Sequence, residues 1–371
     1  MKKLCIIVIP PILLWLSACI SNRIEHDITF EQVKVFETAK DFSAIRVLPT
    51  LLKLNPVDSS IHLYFQDLKS NKLFSCSLTK DSLVPNNDLD FANTAPYYSY
   101  FIKSSDSIFV YHNEPGKLEL LNKSGTIIKE YPVDTMYVPV ATPPSGLVWD
   151  RNSILLGYVS KTKRFQSNEE RHIYYNEVEP LIRLSISDTI LSYQLIGKFP
   201  VSYAKNGDSF YGVMPSVCCG KDNDICLSYE ADNNLYLYHD TTLILTKPVK
   251  SLYIDKFNPY PDEKRFDMLF LQHYLIGEPK YKKIVYDPYD SLYYRIVKHR
   301  AKKTKEGKMR SSYSVIILDS NLTVLDEIKL GADLFPEVFI PTPFGILMEK
   351  ESAMQPGNAV LTLQKLMRND K

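Results

Sequence analysis
The sequence predicts an all-β protein, a six-bladed β-propeller, and three observations carry that prediction. Short alternating or continuous runs of apolar and aromatic residues are separated by Asn, Asp, Ser, Gly and Pro. Sustained helical spacing is almost absent. A unit of three or four such runs recurs six times at intervals of about 45 to 65 residues, the period of a propeller blade. Seven blades are one alternative and two β-sandwiches another; a sandwich pair calls for a linker near the middle of the chain, and none is visible.

The units follow in order. Ile61 to Phe65 and Leu73 to Leu78 flank the turn Lys69-Ser70-Asn71-Lys72 and read as a hairpin. Ser107 to Tyr111, Lys117 to Leu121 and Thr126 to Tyr131 form the next meander, with Asn122-Lys123-Ser124-Gly125 as a turn. Then come Ser153 to Val159 with Leu181 to Ser185 and Leu191 to Ile196, and Ile225 to Tyr229 with Leu235 to His239 and Leu243 to Thr246. The last two are Ser291 to Lys298 with Tyr313 to Asp319 and Thr323 to Lys329, and Gly345 to Lys350 with Ala359 to Lys365. A lone four-stranded sheet has two bare faces and two bare edges. Radial stacking buries the faces, and closing the ring protects the ends. Val33 to Phe36 is placed to complete the last blade, which ties both ends of the chain into one domain over residues 31–371.

Ahead of that domain, Lys2 and Lys3 precede an apolar stretch from Leu4 to Leu16 that Pro10 and Pro11 interrupt. It falls short of the roughly 20 residues that span a bilayer and reads as a signal peptide, residues 1–18. Leu16-Ser17-Ala18-Cys19 has the form of a lipobox, two small residues before a cysteine whose thiol accepts diacylglycerol. The expectation is a lipoprotein held to a membrane by covalent lipid on Cys19, palmitate included, with residues 19–30 as a tether. Ile20 stands where an aspartate would favour inner-membrane retention, so the outer membrane of a Gram-negative envelope is favoured, with either its periplasmic or its surface face.

Composition bounds the partners. The chain has 44 basic and 43 acidic residues, so it lacks the concentrated basic face that nucleic-acid phosphates require. With 45% hydrophobic residues it can bury a large core.

The run Ile284-Val285-Tyr286-Asp287-Pro288-Tyr289-Asp290-Ser291-Leu292-Tyr293-Tyr294-Arg295-Ile296-Val297 resembles the hallmark of domain-of-unknown-function family 4221, propeller-like bacterial lipoproteins. That resemblance implies a lipid-anchored propeller over the whole mature chain and brings no catalytic residues with it. Read by its own chemistry, the run has a turn at Pro288 and Asp290, then a strand with aromatic residues on alternate faces. Arg295 is expected to pair with Asp287 or Asp290 as a structural bracket between blades. The functional alternative is ligand contact, sugar recognition by exposed Tyr293 and Tyr294.

Other motifs read more plainly. With Cys5 removed and Cys19 lipidated, Cys76, Cys218, Cys219 and Cys226 remain in an oxidising compartment, and a disulfide from Cys218 or Cys219 to Cys226 is one expectation. Buried free thiols are the other. Asp222-Asn223-Asp224 lacks the glycine and closing glutamate of a calcium loop and reads as a solvated turn. Lys298, Arg300, Lys302, Lys303, Lys305, Lys308 and Arg310 read as a solvated hairpin loop, with an anionic contact as the alternative. No metal site and no nucleophile or phosphate motif is present. His112, His239 and His273 could converge on a propeller axis. The sequence therefore favours a membrane-anchored, non-enzymatic binding or scaffold propeller with no cofactor, holding a glycan, a peptide or another envelope protein. The alternative is a propeller hydrolase or lyase acting on polysaccharide.

Overall fold
In the computed structural model of the chain, residues 28–368 are described apart from 38–44, 48–54, 56–57, 68–71, 93–98, 113–115, 134–136, 141–146, 161–167, 188–190, 207–209, 211–213, 265–266, 308 and 351–359. The signal peptide, Cys19, the tether as far as Asp27, most of the Lys69–Lys72 turn and Lys308 lie outside the described residues.

Alternating side chains make antiparallel strands, and these form six sheets. Blade 1 runs β2 (Ile45–Val47), β3 (Ile61–Asp67), β4 (Lys72–Leu78), β5 (Leu83–Ala92), and blade 2 runs β6 (Ser99–Ser104), β7 (Ser107–His112), β8 (Lys117–Leu121), β9 (Ile127–Pro132). Blade 3 holds β10 (Tyr137–Val140) and β11 (Val148–Asp150), both paired to β12 (Ser153–Ser160), then β13 (Leu181–Ile186) and β14 (Leu191–Ile196). Blade 4 is β15 (Ser216–Cys219), β16 (Ile225–Ser228), β17 (Asn234–His239), β18 (Thr242–Pro248). Blade 5 is β19 (Lys280–Asp287), β20 (Leu292–Lys298), β23 (Tyr313–Leu318), β24 (Val324–Lys329). Between β20 and β23 a ribbon pairs β21 (Lys302–Lys303) with β22 (Met309–Arg310). Blade 6 takes β25 (Leu334–Thr342), β26 (Gly345–Lys350) and β27 (Val360–Arg368) from the C-terminus and β1 (Ile28–Glu37) from the N-terminus. Ile28 pairs with Arg368 and Glu37 with Val360, so the two ends of the chain share one sheet.

The core lies in layers between neighbouring blades, and the layers run all the way round. Tyr64 and Leu73 of blade 1 pack with Tyr100 and Ile108 of blade 2. One layer continues from Phe109 through Ile154, Ile182 and Leu184 to Leu227. Leu235 meets Ile284 and Ile316, Ile296 meets Phe339 and Met348, and Leu347 and Leu361 meet Ile61 and Leu63. This is a closed six-bladed β-propeller.

Three short helices were not expected from the spacing: α1 (Asn168–Glu177), α2 (Val201–Asn206) and α3 (Met268–Gly277). Their positions share a rule. In a ring of up-and-down meanders, links between blades and links between second and third strands emerge at one end, and the remaining hairpins at the other. The helices fall in the β12–β13, β14–β15 and β18–β19 links, and the ribbon in the β20–β23 link. All four insertions decorate the inter-blade end.

Candidate functional site
The run from Leu292 to Val297 alternates between two neighbours. Tyr293 and Val297 join the layer against blade 4, whereas Tyr294 and Ile296 join the layer against blade 6. Tyr294 packs on Phe339 with ring centroids 5.3 Å apart. Tyr293 lies against the β15–β16 hairpin so closely that a Cβ at Gly220 would overlap its hydroxyl. Both tyrosines are fully buried, at 1% and 0% exposure, which rules out direct ligand contact in this state.

Arg295 is fully buried and bridges blades 5 and 4, but its partners differ from the expected carboxylates. Its Nε donates to Ser228 Oγ at 2.9 Å, Nη1 to Val249 O at 2.7 Å and Asn233 O at 3.0 Å, and Nη2 to Asp232 O at 2.6 Å. Its guanidinium carbon stands 3.3 Å from the Tyr281 ring centroid. Asp287 is turned to its own hairpin instead, where Oδ1 accepts from the backbone N–H of Tyr289 and Asp290; burial nonetheless raises its carboxyl above the ordinary range. Asp290 is exposed. Short-range turn chemistry outcompetes a reach across the sheet.

The cysteine expectation divides. Cys218 faces Cys226 directly across β15 and β16, while Cys219 points to the other face. Cys76, Cys218, Cys219 and Cys226 are all free, so the expected disulfide is not formed. Burial pushes the Cys218 thiol up, and takes Cys219 to about 12, beside Asp150; both stay protonated and unreactive. Asp222 and Asn223 adopt positive φ in the tight turn between these strands, and Asp224 Oδ1 lies 2.7 Å from His239 Nδ1. The three histidines do not converge. His112 is buried in blade 2, with Nε2 2.6 Å from Glu119 Oε2, His239 ends β17 at the hairpin end, and His273 rides on α3.

Lys298 departs from the solvated loop expected of it. It ends β20, is 6% exposed, and donates to Leu275 O at 2.7 Å, Ile276 O at 2.7 Å and Glu278 O at 3.1 Å. It thus fastens the C-terminus of α3, where orphan carbonyls favour a cation. Burial and the neighbouring Lys280 and Lys282 take its amine down to about 8. Beside it runs a polar seam. Glu327 accepts from Ser251 Oγ at 2.6 Å, Leu252 N–H at 2.6 Å and Ser314 Oγ at 2.5 Å. Ser314, having donated, accepts from His299 Nε2 at 2.8 Å, which leaves Nδ1 to accept from Ser312 Oγ at 2.9 Å. Burial, with Lys329 and Lys302 nearby, holds His299 down to about 4, so the ring is neutral.

At the inter-blade end a small cleft, open to solvent, forms where three links meet. Phe210 comes from the β14–β15 link, Glu230 from the β16–β17 link, and Phe257, Asn258 and Tyr274 from the β18–β19 link, with Lys280 opening β19. Glu230 takes Lys280 Nζ with both oxygens, at 3.0 and 3.1 Å. Burial raises the Glu230 carboxyl, and Lys280 opposes that. Glu278 takes Arg300 at 2.5 Å and Asn258 Nδ2 at 3.0 Å. Tyr274 OH donates to Asn258 O at 2.8 Å. Apart from Arg300, none of these residues was singled out in the sequence, because all but Lys280, which opens β19, come from links without periodicity.

The family profile described as domain of unknown function (DUF4221) matches residues 48–329. The chain belongs to the DUF4221 family. A crystallised DUF4221 member from Bacteroides vulgatus superposes with a TM-score of 0.70 at 14% identity, covering 92% of this chain and 99% of that one. That DUF4221 structure supports the shared fold. The virginiamycin B lyase from Staphylococcus aureus aligns over 90% of this chain and 99% of its own, at 11% identity and a TM-score of 0.41. No curated protein matches the chain.

Proposed function
We propose that this DUF4221 propeller is a membrane-anchored, non-enzymatic binding protein of the cell envelope, which holds a glycan, a peptide or another envelope protein at its inter-blade end. One observation carries the reading. The ionised side chains that line the cleft already hold opposite charges, Glu230 on Lys280 and Glu278 on Arg300, whereas acid–base catalysis needs a group within reach of a substrate proton and free to exchange it. Aromatic walls beside satisfied polar groups suit recognition.

The topology adds a consequence for the anchor. β1 starts at Ile28 at the hairpin end of the ring, opposite the cleft. A tether from Ile20 to Asp27 reaches about 28 Å at most, so a lipidated Cys19 would leave the cleft facing away from its membrane. Two measurements test the proposal. Labelled palmitate should enter the wild type and not Cys19→Ala. Purified protein should retain a bound polysaccharide or peptide without generating new reducing ends or unsaturated sugars; product release abolished by Glu230→Gln would establish the hydrolase or lyase alternative instead.

A further inference from the structure
We infer that the flank of the inter-blade end formed by α3 and the β21–β22 ribbon docks an acidic segment of a partner protein that also carries apolar side chains, an inference that rests on the binding reading above. The apolar part of the surface is on α3. Met268, Gln272 and Ile276 follow one another at four-residue steps with Leu269 and His273 beside them, so all five share one face, and all five are exposed. A single exposed leucine needs no explanation, whereas the solvent side of a helix normally carries polar groups. Met309 of β22 is exposed as well, as are Leu252 and Tyr253 of the β18–β19 link. The ribbon stands on the helix: Ala301 N–H donates to Gly277 O at 3.0 Å and Ser311 Oγ to Ile276 O at 3.3 Å. At its root Tyr253 stacks on His299 with ring centroids 4.5 Å apart. Ile276, Met309 and Tyr253 thus gather at the foot of one projection, and Met268 and Leu269 extend the strip along the helix.

Charge selects the partner. From Ala301 to Arg310 the chain has five basic residues and one acidic, Glu306. Lys302, Lys303 and Lys305 are exposed and hold no carboxylate among the described residues. Lys303 lies opposite Met309 in the register of the ribbon, so a cation and an apolar group share one of its faces. Three such ammonium groups favour an incoming carboxylate and reject a basic partner, and the apolar strip adds the burial that exposed charge alone does not supply. An anionic lipid surface offers the same two chemistries, but the topology argues against it. The tether leaves the ring at the hairpin end, so the ribbon points away from the bilayer that a lipidated Cys19 would enter. The ten residues of α3 span about 15 Å, which suits a partner segment of about ten helical residues.

Fluorescence anisotropy on the lipidated full chain, held in nanodiscs of phosphatidylcholine, tests this with short helical peptides built from leucine and glutamate, leucine and lysine, or alanine and glutamate. The leucine–glutamate peptide should bind about tenfold more tightly than either of the others. Raising salt from about 0.05 to about 0.5 M should weaken it about tenfold. Lys302→Glu, Lys303→Glu and Lys305→Glu together should cost about tenfold and transfer preference to the leucine–lysine peptide. Met268→Ser with Leu269→Ser should also cost about tenfold, at unchanged Tm because both side chains are exposed. Equal binding of the two charged leucine peptides would overturn the inference. Binding untouched by the ribbon and helix substitutions but abolished by Glu230→Gln would overturn the surface and move the contact to the cleft, sparing the binding reading. Flotation with phosphatidylglycerol vesicles, lost in the triple variant and with no peptide bound, would overturn the protein partner in favour of a membrane. If neither peptide nor vesicle binds, this surface is overturned, while the binding reading stands or falls separately on whether the purified protein retains a polysaccharide or peptide.

Discussion
Arg295 is a fully buried guanidinium that donates to no carboxylate; its N–H groups are spent on four carbonyls and a serine hydroxyl of blade 4 and its links. Removing one side of such a network leaves the other unpaired. Arg295→Met should therefore cost about 3–5 kcal/mol in urea unfolding, and Arg295→Lys most of that, because an ammonium cannot reproduce the planar fork. His299 supplies a pH test. Its folded pKa of about 4 lies below the ordinary 6.5, so the unfolded chain binds more protons between those values. Its contribution is complete above pH 6.5 and is lost as pH falls toward 4, with a slope of up to about 1.4 kcal/mol per pH unit. His299→Gln should flatten that limb of a stability–pH curve. The facing of Tyr293 and Tyr294 was legible, since strand period alone sets it. The partners of Arg295 were not, because backbone carbonyls 46 to 63 residues upstream carry no side-chain signature.

Helix α3 buries only Leu271 outright and leaves Met268 and Leu269 about two-thirds exposed, at 65% and 64%. Phe270 and Tyr274 pack edge-on against Tyr260, and the two ends of the helix are held by polar contacts: Asp267 caps its first turn by accepting from Phe270 N–H at 2.9 Å, and Lys298 gathers its last carbonyls. Lys298→Met should accordingly raise hydrogen exchange across 268–277 by an order of magnitude or more, as expected for a loss of about 1.5–3 kcal/mol in charged hydrogen bonds, with a much smaller change in the strands of blade 5. Equal loosening of both would show that the lysine supports the blade and not the helix. The helix escaped notice because its apolar residues run all round, without a 3.6 period. Its ends were visible in Asp267 and in Gly277 and Pro279, the usual start and stop signals.

At the scale of the ring, the outer strands were legible and the innermost ones largely were not. β6, β19 and β25 each carry a bulge, at Ile102/Ser104, Tyr281/Lys283 and Phe335/Phe339, and a bulge weakens the alternation that betrays a strand, although β9, β18 and β24 were legible despite register shifts of their own. The blade number survived that loss because each unit kept two or three regular strands. The cleft did not, as it is assembled from links that become neighbours only when the ring closes. One closed ring predicts one cooperative unit. Limited proteolysis should leave a single resistant core, and deleting 28–37 should lower Tm and expose the free edge of β27 to cleavage; two separable cores would contradict a common layer of packing.

The pairing of residue 28 with residue 368 also governs how the molecule comes into being. The first strand off the ribosome has no permanent partner until the last is made, so every nascent or truncated chain carries two unsatisfied borders that invite aggregation. A truncation that removes the nine residues of β27 should be as damaging as a deletion of the ten of β1.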